Sequence, residues 1–169
     1  MAQHLIDTYD LRNKQILEIG SGQGDFLKLL CELGPNFGTG FDRSYVPKAE
    51  DEALERVTFI QDFYSEAYCN YPVDLLACRH VLEHIEDPIP FLKGLRRALG
   101  DRTDTAVFFE VPNMAYTLRQ LAIWDIIYEH CGYYTPTSIR CAFSRAGFQT
   151  IDVYESFGGQ YLCIEAKPA

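Results

Sequence analysis

The run Ile16-Leu17-Glu18-Ile19 ends abruptly in Gly20-Ser21-Gly22-Gln23-Gly24, and apolar residues resume at Phe26, Leu27, Leu29 and Leu30 with helical spacing. A short apolar run of this kind reads as a buried strand. The glycines let the backbone turn sharply and leave it bare for a ligand. Free N–H groups at the start of the following helix can hydrogen-bond that ligand. Strand, glycine turn and helix in this order predict the opening of a nucleotide-binding α/β unit.

The glycine spacing narrows the ligand. A pyrophosphate fingerprint reads G-x-G-x-x-G, but here the third glycine comes one residue early, at Gly24. Glu18 stands two residues before Gly20, at the strand's end. A carboxylate there suits a ligand with positive charge, an ammonium or a sulfonium, better than a pyrophosphate.

Strands are expected at Gln15–Ile19, Phe37–Phe41, Val57–Gln61, Val73–Cys78, Thr105–Val111, Phe148–Tyr154 and Tyr161–Ala166. Helices are expected at Gly22–Leu33, stopped by Gly34-Pro35, and at Ser44–Glu55. Asp87-Pro88 opens another through Leu99, Leu118–His130 has helical period, and Thr135-Pro136 starts one that ends at Gly147. Residues 1–13 read as a lead-in helix or loop, and Phe63–Tyr71 as a short helix or loop. Alternation of this kind predicts an α/β fold: a doubly wound, mostly parallel, seven-stranded sheet. The last two strands lack a helix between them, so one antiparallel strand is expected near an edge.

At 169 residues the chain is long enough for one domain with a real core. It ends just after an apolar run, which fits a domain cut from a longer protein. The net charge of −9 argues against nucleic acid as the main partner, because phosphate contacts need a basic face. Six scattered cysteines without a C-x-x-C pair read as free thiols in a reducing cytoplasm. No signal peptide or long apolar span points to a membrane.

Ligands of such sheets bind beyond the strands' carboxyl ends, a rule that groups Glu18, Asp42, Asp62 and Arg79-His80. Asp42, followed by Arg43, can accept hydrogen bonds from both ribose hydroxyls of an adenosine; the other reading is a loop aspartate capping a helix. Asp62 is placed to reach an adenine amino group, with Phe63 offering a ring face or a backbone N–H; here too a helix cap is the alternative.

These stretches resemble successive motifs of class I S-adenosylmethionine (SAM)-dependent methyltransferases: Glu18 to Gly24, Asp42, and Gln61-Asp62-Phe63. Arg79-His80-Val81-Leu82-Glu83-His84-Ile85-Glu86-Asp87-Pro88 is similar to that superfamily's block after the fourth strand. The resemblance implies SAM as cofactor and S-adenosylhomocysteine as product, held by Glu18, Gly20, Ser21, Gly22, Gly24, Asp42, Arg43, Asp62 and Phe63. It implies that Arg79 and His80 flank the cofactor through backbone. It also implies that His84 lies near the reacting centre; a histidine held by a carbonyl is the other reading. No metal site is expected, since Glu83, Glu86 and Asp87 read as capping and solvated groups.

The last third carries Phe109-Glu110-Val111-Pro112-Asn113 after the fifth expected strand, then Tyr128-Glu129-His130-Cys131-Gly132-Tyr133-Tyr134-Thr135, then Phe157-Gly158-Gly159-Gln160-Tyr161. These are similar to stretches of sugar C-methyltransferases, matching at Glu129, His130, Tyr133, Gly158 and Gly159. That family's first tyrosine falls on Ile127, and its turn histidine and serine on Phe157 and Gln160. By this resemblance Glu129 and His130 are acid/base groups, joined by His84 and Tyr133. Adjacent residues on a helix do not face each other, so His130 is the one expected to reach the acceptor. The rival reading has this segment simply end one helix and pack on the next.

The expectation is thus a cytoplasmic methyltransferase acting on a small-molecule acceptor, a sugar or another small metabolite. Two rivals stand beside it: an NAD-dependent oxidoreductase, and a non-catalytic SAM-binding module whose role is interaction.

Overall fold

The computed structural model describes residues 1–47 and 55–169. Its strands are β1 Gln15–Ile19, β2 Phe37–Phe41, β3 Val57–Ile60, β4 Leu75–Arg79, β5 Ala106–Pro112, β6 Phe148–Ser156 and β7 Tyr161–Pro168. They form a seven-stranded sheet in the order β3-β2-β1-β4-β5-β7-β6. Helices are α1 Ala2–Thr8, α2 Asp25–Leu33, α3 Pro88–Leu99, α4 Met114–Gln120 and α5 Pro136–Arg145. The chain divides into two compact units, Met1–Ala77 and Cys78–Ala169, with the division inside β4.

In the first unit β1, β2 and β3 are parallel. The register pairs Ile19 with Phe41 and Phe41 with Ile60. Three strands therefore finish level, and Gly20, Asp42 and Gln61-Asp62 emerge at one edge. Helix α2 buries Leu27, Leu30 and Cys31 and turns Leu29 outward. It starts at Asp25 rather than the expected Gly22, because Gly22 and Gly24 have φ of 54° and 83°. Such backbone is left-handed and cannot open a right-handed helix. A Cβ at Gly24 would also run into the Phe59 ring.

The second unit packs around β5, buried throughout except Pro112. Strand β7 runs antiparallel to both β5 and β6, the expected mixed end of the sheet. Helix α3 begins at Asp87-Pro88 as expected and buries Leu92, Leu95, Ala98 and Leu99. Helix α5 begins with a capping box: Ser138 N–H bonds the Thr135 hydroxyl, and Thr135 N–H bonds the Ser138 hydroxyl.

Two expected helices need comment. The helix expected at Leu118–His130 is not formed. Helix α4 stops at Gln120, Leu121 adopts φ 53°, and only a short 3₁₀ turn, Ile123–Asp125, follows. The periodic residues Leu118, Leu121, Trp124 and Tyr128 are all exposed. A helix of this length needs burial of its apolar face to persist, and three isoleucines in the stretch disfavour it further. Of the expected Ser44–Glu55 helix, residues 48–54 lie outside the described residues; Ser44 is in a turn and residues 45–47 are irregular.

Candidate active site

The first unit presents the glycine turn at the end of β1. Gly20 and Ser21 donate their N–H groups to the Phe41 carbonyl at 2.8 and 3.3 Å. Gly22 N–H donates to Asp42 Oδ2 at 2.8 Å. Asp42 Oδ1 accepts from the Ser44 N–H at 2.7 Å and its hydroxyl at 2.6 Å. Partial burial works against the Asp42 charge, but the bonds from Ser44 and Gly22 keep its carboxyl below the usual range. Asp42 thus ties the turn to its own loop; Oδ1 has both lone-pair sites taken by Ser44, and Oδ2 keeps one beyond the Gly22 bond.

Around this turn Glu18 is 2% exposed, and the Ser21 hydroxyl is buried with no hydrogen-bond partner. The side of Gly22 on which a Cβ would stand is open. Asp62 is exposed and accepts from the Tyr68 hydroxyl and the Phe63 N–H, both at 2.7 Å. These bonds lower its carboxyl pKa. Phe63 is exposed, with the Arg43 guanidinium 5.0 Å from its ring centre. A cavity of about 400 Å³ lined by Lys28, Cys31, Pro35, Arg56 and Val57 lies at the other end of the strands, away from the glycine turn.

In the second unit, Arg79 ends β4, His80 follows it, and both converge on Glu110 of β5. Arg79 Nε donates to Glu110 Oε2 at 2.7 Å. His80, at φ 54°, faces Glu110 Oε2 at 3.4 Å and Glu83 Oε1 at 3.6 Å. Its ring meets Tyr161 edge-on at 4.7 Å. The Glu110 and then the Glu83 carboxylates raise the His80 pKa to about 9, against the cost of burial. Burial also opposes the charge on Glu110, yet hydrogen bonds from His80 and Arg79 hold it at about 2. The His80 side chain is therefore engaged by carboxylates.

A second cluster joins the turn after β4 to the segment before α5. Cys131 and Gly132 donate their N–H groups to the Glu83 carbonyl at 2.7 and 3.0 Å. His84 Nδ1 lies 3.0 Å from the Glu129 carbonyl, and His130 Nδ1 lies 3.2 Å from that of Asp125. The two imidazole rings stand 5.0 Å apart, and Tyr133 is 6.0 Å from His130. A carbonyl can only accept, so in these contacts each Nδ1 is the donor, and in the neutral ring Nε2 is then the nitrogen that bears the lone pair. His84, His130 and Tyr133 are brought together. Glu129 is exposed and offers the group its backbone rather than its carboxylate.

Residues 3–153 match the family model described as "Methyltransferase domain". The chain belongs to the methyltransferase-domain family. S-adenosylmethionine is the cofactor of that family. A ubiquinone biosynthesis O-methyltransferase of Actinobacillus pleuropneumoniae serotype 7 is 28% identical over 124 residues, 67% of this chain and 52% of that protein. The C-methyltransferase NovU of Streptomyces niveus is 26% identical over 159 residues, 91% of this chain and 37% of that protein. A tRNA U34 carboxymethyltransferase of Nautilia profundicola is also similar, at 29% over 104 residues, 54% of this chain and 32% of that protein. Among solved structures, magnesium protoporphyrin IX methyltransferase of Synechocystis PCC 6803, with S-adenosylhomocysteine bound, has the same fold. It aligns at TM-score 0.72 with 18% identity, over 99% of this chain and 80% of that one. The methyltransferase domain spans about half the length, or less, of these curated relatives.

The glycine turn fits a SAM-like ligand on its own terms. A buried unpartnered hydroxyl, a buried carboxylate and an open face over Gly22 are what a polar, positively charged nucleoside would meet. The sequence reading gave no role to Glu110, whose one signal was a charged residue inside the apolar run Phe108-Phe109-Glu110-Val111. It also gave none to Asn113, fully buried, whose amide donates to Gly159 O at 2.9 Å and Glu155 Oε1 at 3.1 Å. Among the described residues no helix is long and apolar enough to cross a membrane.

Proposed function

We propose that the methyltransferase domain moves a methyl group from SAM to a small-molecule acceptor that loses a proton as it is methylated. Glu18, Gly20, Ser21, Gly22, Gly24, Asp42, Arg43, Asp62 and Phe63 hold the cofactor on the first unit. The observation that carries the acceptor class is the fixed tautomer of His130. Its Nδ1–H is spent on the Asp125 carbonyl, so Nε2 is a base with its lone pair available.

Bound SAM supplies a methyl group already activated on a sulfonium sulfur, which leaves as a neutral thioether. The protein's share is to orient the acceptor and exclude water. His130 Nε2 accepts the proton that the acceptor's carbon or oxygen gives up. His84 and Tyr133 border that base and orient the acceptor; Glu129 steadies His84 through its carbonyl. An oxygen or carbon acceptor is in keeping with the O- and C-methyltransferases among the relatives.

Calorimetric titration with S-adenosylhomocysteine, with NAD alongside, tests the cofactor half. Micromolar binding of the former alone is expected; binding of NAD alone would overturn it. Transfer of labelled methyl from SAM to a panel of phenols, deoxyketosugar nucleotides and bulk tRNA tests the acceptor half. Transfer to tRNA alone would replace the small-molecule reading. Cofactor binding with no transfer to any acceptor would favour a non-catalytic SAM-binding module.

A further inference from the structure

We propose that Glu83, His84 and His130 form a binding site for one divalent transition-metal ion of the zinc class. The sequence alone grouped Glu83 with Glu86 and Asp87 as capping groups. The structure separates them: Glu86 and Asp87 are exposed, whereas Glu83 is 2% exposed.

A carboxylate oxygen of Glu83 and one ring nitrogen from each histidine all lie within 4.8 Å of one another. Of the two Glu83 oxygens, Oε1 faces His80 Nδ1 at 3.6 Å, and Oε2 is buried with no hydrogen-bond partner. An ionised oxygen left unpaired in the interior is costly, and a cation beside it removes that cost.

The histidines are prepared for the same task. Each spends Nδ1–H on a backbone carbonyl, Glu129 for His84 and Asp125 for His130. That arrangement fixes the neutral tautomer with Nε2 outward, as metal-bound histidines are fixed by an outer hydrogen bond. Two imidazole nitrogens and one carboxylate oxygen, with a further position open, make a donor set that zinc accepts. Tetrahedral coordination with bonds of about 2.0–2.1 Å needs donor atoms about 3.3 Å apart. His84 is exposed, so a small shift of its ring that keeps Nδ1 on the Glu129 carbonyl closes the remaining distance.

The scaffold beneath is rigid for a loop. Two N–H groups from Cys131 and Gly132 hold the Glu83 carbonyl, and the Tyr134 hydroxyl donates to the Leu82 carbonyl at 3.4 Å. The site is defined by these atoms and its occupancy is read without methyl transfer; with the ion bound, His130 Nε2 is a ligand and no longer the proton acceptor, so the two roles of that nitrogen exclude each other. Rivals among the described residues are His80, 3.6 Å from Glu83 Oε1, and the exposed thiol of Cys131.

The test uses the whole chain, freed of metal by chelation. Zn²⁺ is titrated in competition with a chromophoric chelator, and Co²⁺ is added separately to read its visible bands. One equivalent per chain is expected, with ligand-field absorption from Co²⁺. His130→Ala and His84→Ala should each weaken Zn²⁺ binding by at least about tenfold. Cys131→Ser should leave it unchanged. Circular dichroism and S-adenosylhomocysteine binding show that each variant is folded, and failure of cofactor binding would count against the methyltransferase reading, not this one. No stoichiometric binding by the wild type overturns the site. So does unchanged affinity in both histidine variants, or loss of binding in Cys131→Ser.

Discussion

The backbone N–H of Gly22 donates to the carboxylate of Asp42 across the ends of two adjacent parallel strands, at 2.8 Å. One side chain at the end of β2 thereby sets the shape of a turn that follows β1. Asp42→Ala should weaken S-adenosylhomocysteine binding by about 1–3 kcal/mol, the usual cost of stranding partly buried polar groups. Titration calorimetry reads it directly, and unchanged affinity would remove Asp42 from the cofactor site.

Gly24 is held at φ 83° with the Phe59 ring against its open side. Gly24→Ala meets both penalties, left-handed backbone and a collision, and should cost about 1–3 kcal/mol. For a chain of 169 residues, that lowers the melting temperature by about 2–4 °C per kcal/mol. A melt unchanged from wild type would show that the ring moves aside freely.

The His80–Glu110 pair makes stability depend on pH in a defined direction. His80 is raised from 6.5 to about 9, so its contribution is complete below pH 6.5 and is lost as pH rises through about 9. Glu110 is lowered from 4.5 to about 2, so its contribution is complete above pH 4.5 and is lost as pH falls through about 2. Melting temperature should therefore fall between pH 6.5 and 9, and His80→Gln should flatten that slope. A variant with the wild-type slope would assign it to other groups.

Removing the base should separate chemistry from binding. His130→Gln should lower the rate of transfer to a proton-losing acceptor by about 10²–10⁴-fold, with cofactor affinity intact. An equal loss of both would mark His130 as a packing residue.

Asn113 is a buried polar hub. Its amide bonds Gly159 and Glu155, and its oxygen accepts from the Ala115 N–H at 3.1 Å. Asn113→Ala strands these partners and should cost about 2–3 kcal/mol in urea denaturation. Stability within about 0.5 kcal/mol of wild type would show that water replaces the amide.

Local signals carried most of the fold. The glycines after Ile19, Pro88 after Asp87, and Thr135-Pro136 are turn and cap chemistry that acts within a few residues, and each marks an element end in the structure. The segment from Leu118 to His130 was misread because its helical period is real, but periodicity says nothing about whether a surface exists to bury that face. Glu110 and Asn113 had no legible role for a related reason: Arg79 stands 31 residues from Glu110, and Gly159 stands 46 from Asn113. The same holds for His84 and His130. Each could be singled out by its motif, but their 5.0 Å approach depends on backbone bonds to the Glu83 carbonyl that no side-chain pattern encodes.

Those two bonds from Cys131 and Gly132 have a corollary for substitution. They fasten the segment ahead of α5 by main chain, with the Tyr134 hydroxyl on the Leu82 carbonyl and the His84 ring on the Glu129 carbonyl beside them. Trp124 and Tyr128, exposed on that segment, can be exchanged without disturbing what holds it. On the proposed function, single substitutions at these two positions change what an acceptor meets while the backbone bonds to Glu83 keep the segment in place.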